Sequence, residues 1–226
     1  IEPMLVTVPE FTFVGPQKPY WDRYMLLSGD AGGLPVVMDD AIGDAYVARV
    51  TLSEPPLMVL GALRLAQKLG LTALPKEMPE LEALKAPPRP EVLPDSQAVT
   101  TLTGQDAGYR PHMMNFLKYL DRADYPESYE RRREVSGRTA YGRYGLVAMR
   151  TVMATGGAFI FHGQVDDVLM ASTGWTQGSD WDDLAMMRYP NPTAILTMEH
   201  SEAYLASLVD RDAGLERTVV VSSSPR

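Results

Sequence analysis

The 226-residue sequence predicts an α+β protein made of two βαββαβ modules in tandem, packed together as an intrachain pseudo-dimeric α+β barrel. Three observations predict it. The stretch 112–221 alternates short apolar runs with amphipathic segments in the order β-α-β-β-α-β. Pro75, Pro79, Pro87, Pro88, Pro90 and Pro94 forbid continuous helix or central strand between them and read as a linker. Ahead of that linker stands a weaker copy of the same element order. The predicted division is a diverged module at 1–74, the linker at 75–98 and a second module at 99–226.

In the second module, 112–119 (HMMNFLKY) has the length and apolarity of a buried strand, and the polar, aromatic stretch 121–135 reads as a loop. Ser136 then caps a helix on which Tyr141, Tyr144, Ala148 and Val152 recur at helical spacing, with Gly156-Gly157 as its stop. The second strand is 159–165 (FIFHGQV) and the third is 181–189 (WDDLAMMRY). Asn191 before Pro192 opens a helix through Ala194, Ile195 and Met198 that restarts at Ser201. Residues 218–221 close the sheet. This order is the split βαβ, ferredoxin-like pattern, with both helices on one sheet face. The other face carries apolar residues and needs a cover.

The first module supplies that cover in the tandem reading: strand 11–14, helix 20–28, paired strands 34–38 and 44–52, helix 57–69, and a fourth strand from beyond the linker at 99–102. The two halves also share a strand that runs into a proline-initiated helix, YVARVTLSEPPLMVLGAL in one and LAMMRYPNPTAILTM in the other. A further turn of helix is expected within the linker at 78–86.

Composition narrows the function classes. A formal net charge of -8 argues against nucleic acid, whose phosphates reward clustered Lys and Arg. Arg131-Arg132-Arg133 lies between Glu130 and Glu134 and reads as a solvated face. No apolar run approaches the roughly 20 residues of a membrane helix. The absence of cysteine excludes disulfides, thiolate metal sites and Cys nucleophiles, and makes the cytoplasm the default location. The chain begins with Ile and shows no basic-then-apolar leader, so it reads as trimmed.

Polar residues in apolar strands are the candidates for chemistry. On alternation, Ile160, His162 and Gln164 share one face of the second strand, opposite Phe159, Phe161 and Val165. With the bulkier set on the helices, His162 and Gln164 point into the barrel interior, where a neutral imidazole can act as general base or acid; a His that only bonds a neighbouring strand is the plainer alternative. Arg188 shares a face with Asp182, Leu184 and Met186 and could grip a carboxylate or enolate, or simply pair with an acidic neighbour. Trp181 and Asp182 open the same strand and line the site or anchor the preceding loop. Asn115 and Lys118 in the first strand could hold an anion, with a snorkelling lysine as the alternative. Tyr141 and Tyr144 point to the sheet, either as core aromatics or, for Tyr144, as a ligand contact.

No metal is expected, since His112, His162 and His200 lack partners at ligand spacing. No cofactor is expected either, because nucleotide-binding glycine motifs and the nucleophile elbow are missing. Asp39-Asp40 and Asp166-Asp167 read as hairpin corners.

The strings MNFLKY, SGRTAYGRYG ending in ATGG, WDDLAMMRYPNPTAILTM and DAGLERTVVVSS resemble the matching blocks of the DUF1330 family, a branch of the dimeric α+β barrels. They cover most of 112–223, about half the chain. The resemblance implies a ligand cavity between helices and sheet or inside the barrel. It also implies that a tandem copy replaces the usual homodimer, with a homodimer of pseudo-dimers as an open assembly. Two functions are carried forward. One is a small-molecule-binding, cofactor-independent enzyme of isomerase, cyclase or monooxygenase type, acting on a small organic acid or enolisable metabolite with His162 and Arg188 as the catalytic pair. The other is a non-catalytic ligand-binding or accessory scaffold.

Overall fold

The computed structural model describes residues 2–29, 42–53, 65, 69, 74–76, 88–127, 129 and 134–225. They form strands β1 (Glu2–Val14), β2 (Tyr24–Ser28), β3 (Val47–Leu52), β4 (His112–Tyr119), β5 (Ala158–Met170), β6 (Asp183–Arg188) and β7 (Leu215–Pro225). Three α-helices accompany them: α1 (Ser96–Thr103), α2 (Gly137–Ala154) and α3 (Glu202–Gly214). No described helix is long and apolar enough to cross a membrane.

Local chemistry starts each helix where the chain offers a side-chain acceptor to orphan backbone N–H groups. Asp95 accepts from Ala98 N at the head of α1, Ser136 from Thr139 N at α2, and Ser201 from Tyr204 N at α3. The helix expected to open at Asn191-Pro192 is only a short 3-10 segment, Leu196–His200, and the α-helix begins at the predicted restart.

All seven strands join one antiparallel sheet in the order β2-β1-β7-β4-β6-β5-β3. Its middle, β7-β4-β6-β5 with α2 and α3 as crossovers, is the βαββαβ unit expected for the C-terminal half. The N-terminal strands do not build a second sheet among the described residues: β1 and β2 extend the β7 edge, and β3 extends the β5 edge. The separate facing module of the tandem reading is therefore replaced, in what is described, by a wider single sheet.

That sheet curls. Tyr24 on β2 and Phe116 on β4 sit three strand spacings apart, about 14 Å on a flat sheet. Their ring centroids nevertheless approach to 5.7 Å. One face packs Met113, Val220, Phe11 and Phe13 against Ala98 and Leu102 of α1 and Ala148 and Val152 of α2. The concave face gathers Met114, Phe116, Phe161, Met186, Val219 and Val221 around Trp175 and Trp181, joined by Trp21, Tyr24 and Tyr46. The cover that the open sheet face required is thus aromatic side chains from the flanking segments.

Two predicted elements change type. Within the helix expected at 20–28, the chain forms β2, because Tyr24 and Leu26 enter the concave layer at period two while β1 pairs with their backbone. The strand expected at 99–102 is part of α1: Ala98 and Leu102, four apart, seat one helical face in the core, and Thr100 and Thr103 hydroxyls bond the carbonyls of Ser96 and Val99. Asp166 and Asp167 are also not a hairpin corner. They lie inside β5, which runs on to Met170 because β3 pairs with it, and they meet Thr51 at 2.7 Å and Arg49 at 3.3 Å. The strand expected at 34–38, Asp39-Asp40, the linker turn at 78–86 and, apart from Leu65 and Leu69, the helix expected at 57–69 lie outside the described residues.

Helices α2 and α3 touch through bare backbone. A Cβ on Gly137 would lie 2.4 Å from the carbonyl oxygens of both Gly214 and Leu120, and one on Gly214 would lie 2.5 Å from Gly137 O. Neither obstacle is a flexible side chain. Gly142, one turn on, has nothing within 4 Å and faces solvent. Gly137→Ala should therefore cost about 3 kcal/mol, the upper part of the usual over-packing range. Gly142→Ala should instead stabilise by roughly 0.5–1 kcal/mol through helix propensity. Urea unfolding of the two variants checks this, and equal effects would refute the backbone-contact account.

Candidate functional site

Alternation along β6 sends Asp183, Ala185 and Met187 to the helical side and Leu184, Met186 and Arg188 to the concave side. The side chain of Asp183 is 2% exposed, a position where an ionised carboxylate must be fully hydrogen-bonded. Three donors meet it. Tyr119 OH donates to Oδ2 at 2.8 Å, His162 Nε2 to the same oxygen at 3.0 Å, and Arg138 Nη1 to Oδ1 at 2.5 Å. The Arg138 guanidinium also lies 5.0 Å over the Tyr119 ring.

Each partner comes from a different element: Tyr119 from the end of β4, Arg138 from the first turn of α2, and His162 from β5. Burial raises the Asp183 pKa, but the hydrogen bonds from His162, Tyr119 and Arg138, with the charge of Arg138, outweigh it and hold the carboxyl below its ordinary value. Burial, next to the Tyr141 ring and Asp183, drives the Tyr119 phenol strongly upward, so it stays a donor.

An ionised carboxylate only accepts, so His162 carries a proton on Nε2, and the neutral imidazole presents Nδ1 as an acceptor. Nδ1 has no partner among the described residues, and the His162 side chain is 29% exposed. Beyond it, Gln164 and Thr51 are exposed neighbours across the β5–β3 pairing. The added-Cβ positions of Gly142 and Gly145 on α2 are open. His162 thus sits where the helical layer gives way to solvent, held from below by a buried anion.

His162 does not face the concave interior as alternation predicted. A bulge in β5 between Phe159 and Phe161 breaks the parity: Phe159 pairs with Met187 and Phe161 with Met186, so the two phenylalanines lie on opposite faces. Phe161 takes the concave side, and His162 and Gln164 take the helical side. Arg188 is consequently separated from His162 by the sheet itself. It is an exposed residue at the far end of β6, opposite Ala158 and His112, and it has no carboxylate partner among the described residues. His112 is buried there; burial, with the Arg188 charge, lowers its pKa against the opposing hydrogen bond to Arg110 O.

The other candidates find partners within the chain. Lys118 pairs with Asp182 at 3.2 Å and Asp180 at 3.6 Å, and Asp182 also accepts Tyr119 N at 2.8 Å. Trp181 precedes β6, so strand parity does not apply to it. It is buried in the concave layer, donates to Gly178 O at 3.1 Å and lies under the Arg217 guanidinium. Asn115 bonds the carbonyls of Met113 and Ala185. Tyr144 packs between Tyr141 and Tyr204, with centroids at 5.3 and 6.0 Å. These five positions serve the scaffold in this arrangement, while Gln164 stays beside His162. Asp183, Arg138 and Tyr119 were not singled out from the sequence. The available signal was a carboxylate on the helix-facing set of a short apolar strand.

Among the described residues no group of three or more His, Cys, Asp or Glu side chains could hold a metal ion. A groove of about 260 Å³ lies between β1 and α1, lined by Phe11, Phe13, Leu93 and Ala98, away from all these residues.

No family model matches the chain, and no curated protein matches it. Two crystal structures of RPA0582, a protein of unknown function from Rhodopseudomonas palustris, are similar. The methylated form aligns at a TM-score of 0.50 and 25% identity over 59% of this chain and 93% of its own. The unmodified form aligns at 0.48 and 23% over 57% and 92%.

The depressed Asp183 pKa fixes the sign of a pH effect. Its contribution to stability is complete above the unfolded carboxylate value near 3.9 and is lost as pH falls through the lower folded value. Asp183→Asn should cost roughly 3 kcal/mol at pH 7, in the range for breaking a buried ion pair. The gap to the parent should narrow as pH drops below about 4. Urea midpoints at several pH values decide it, and a gap independent of pH would contradict the assignment.

Proposed function

We propose that the protein binds a small organic acid or enolisable metabolite at the solvent edge of α2 and β5, and moves a proton on it without a cofactor. The observation that carries this is the Tyr119–Asp183–His162–Arg138 cluster: a buried carboxylate that fixes one imidazole nitrogen and leaves the other without a partner among the described residues, on a side chain 29% exposed. In this reading Nδ1 of His162 takes a proton from the carbon beside a carbonyl. Arg138, with its side chain 43% exposed and donors left over from Asp183, attracts the carboxylate or developing enolate. Asp183 stabilises the imidazolium formed in the step. Arg188, on the opposite face, takes no part.

The kinship of 112–223 with DUF1330 proteins rests on the sequence blocks quoted above, and the β7-β4-β6-β5 order with its two crossover helices supports it. The flanking strands are what a diverged second module would contribute to the pseudo-dimer. One observation favours the second reading, a non-catalytic accessory protein: the concave face, where a barrel ligand would be expected, is occupied by the chain's own aromatic residues.

Exchange of the α-protons of pyruvate and other small 2-oxo acids into D2O, followed by proton NMR, separates the two. The catalytic reading expects exchange faster than in buffer. His162→Ala should slow it by about 10²–10⁴-fold. Arg138→Gln should weaken substrate binding by about tenfold or more. Arg188→Gln should leave both unchanged. Exchange at the buffer rate for every acid tried, or a loss confined to Arg188→Gln, would reject it.

A further inference from the structure

A second carboxylate is fully engaged, far from His162 and in contact with none of the residues above. Asp44 precedes β3 and reaches the connection between β5 and β6. Its Oδ2 accepts from Ser172 Oγ, from Tyr20 OH at 2.8 Å and from Gly174 N at 3.1 Å. Its Oδ1 accepts from Thr173 N at 3.2 Å and from the adjacent Ala45 N at 2.9 Å. Four of the five donors belong to other segments of the chain. Successive backbone N–H groups with a hydroxyl beside them form an anion-binding concavity.

Glycine leaves room within it. A Cβ on Gly174 would lie 2.2 Å from Tyr20 Oη, so a side chain there would push the tyrosine hydroxyl off the turn. The bond from Ser172, first among the causes, with those from Tyr20, Thr173 and Gly174, overcomes burial and holds the Asp44 carboxyl well below the ordinary range.

The same turn seats an aromatic residue. Ser172 Oγ, while donating to Asp44, accepts from Trp175 N at 2.9 Å. The Trp175 ring lies 5.0 Å from Phe116, 5.4 Å from Trp181, 5.5 Å from Trp21 and 6.5 Å from both Tyr20 and Tyr46. Among the described residues it is the one ring that contacts rings of both the segment leading into β2 and the segment leading into β3. Trp21 Nε1 and Tyr46 OH, buried beside it, have no hydrogen-bond partner among the described residues. Trp181 keeps its own bond to Gly178 O, so directional bonding around Trp21, Tyr46 and Trp175 comes from the Asp44 contacts.

We propose that Ser172–Gly174 is a carboxylate-binding site that the chain occupies with its own Asp44, and that this occupancy latches Trp175 into the concave aromatic layer. The site recognises a monocarboxylate: two backbone N–H groups and two hydroxyls converge on one carboxyl, with no lysine or arginine among the donors. A free carboxylate of that size fits once the tethered one is removed.

The test uses the full chain with Asp44→Gly and acetate as the probe. Tryptophan emission reports the layer and far-ultraviolet circular dichroism reports the sheet. Asp44→Gly should keep the sheet signal and shift the emission to longer wavelength. Acetate should reverse that shift saturably, and chloride at equal ionic strength should not. Asp44→Asn, which fills the seat with a neutral amide, should not respond to acetate. Parental emission in Asp44→Gly, or a shift that acetate leaves untouched, overturns the proposal. Should Asp44→Gly lose its sheet signal, Ser172→Ala becomes the deciding variant: it retains the carboxylate but cuts the link to Trp175, and parental emission there overturns the latch.

Discussion

Strand β7 is paired on both edges, with β4 along Leu215–Ser223 and with β1 along Val220–Pro225, and every side chain from Thr218 to Ser223 is buried. A strand enclosed on both faces and both edges has one register available to it. Its polar side chains confirm the constraint: Thr218 Oγ1 donates to Phe116 O, Ser223 Oγ to His112 O, and Ser222 Oγ pairs with Tyr109 OH at 2.7 Å. Slipping by one residue would send Val219 and Val221 into the helical layer and Val220 into the aromatic layer, and would leave these buried hydroxyls unpaired. β1 takes its place from β7, and β2 takes its place from β1. The N-terminal strands are therefore bound into the fold by the last strand of the chain.

The two layers that β7 separates are different materials. The helical side mixes aliphatic residues with Phe11, Phe13 and Tyr189, and is small at the points of closest approach, where Gly137 and Gly214 let α2 and α3 meet backbone to backbone. The concave side is aromatic and is closed by Trp175. An aromatic layer gains from edge-to-face and tilted contacts as well as from area. The Trp175 contacts with Phe116 and Trp21 are of the edge-to-face kind, with interplanar angles of 68° and 69°. Such a layer can hold a strongly curled sheet without a second sheet opposite. It also fills the volume in which a barrel would otherwise keep its ligand.

The C-terminal half was legible because each element there is signalled locally. The strand 112–119 is an uninterrupted apolar run, Ser136 and Ser201 are caps with a helical pattern behind them, and Gly156, at φ 85°, supplies the turn into β5. The N-terminal half was legible only in part, since what decides it is pairing at long range. Residues 20–28 become β2 because β1 offers an edge, and residues 96–103 become α1 because Phe11 and Phe13 offer a surface. The pairing of His162 with Arg188 was out of reach for a narrower reason. Face assignment in β5 counted residues at strict period two, and one bulge at Ile160 reverses the count. That reversal moves His162 across the sheet, away from Arg188 and onto Asp183. Asp182, the more conspicuous neighbour in the sequence, is instead bound to Lys118 and to Tyr119 N, outside the histidine's reach.

The position of His162 follows from a mismatch in strand length. β5 spans 13 residues and β6 only 6, so β5 continues beyond the βαββαβ unit to pair with β3, where no described helix covers it. The boundary between covered and uncovered sheet runs through Ala185, Asp183, His162 and Gln164. Asp183 lies on the dry side, where low dielectric strengthens its hydrogen bonds and makes an unpaired charge costly. His162 lies on the wet side, tied to that anion by one nitrogen. A histidine deeper in the layer would lose access to solvent, and one farther along β5 would lose its orienting carboxylate. The bulge places it between the two, and it is this placement, more than the identity of the fold, that makes the imidazole a candidate for proton transfer.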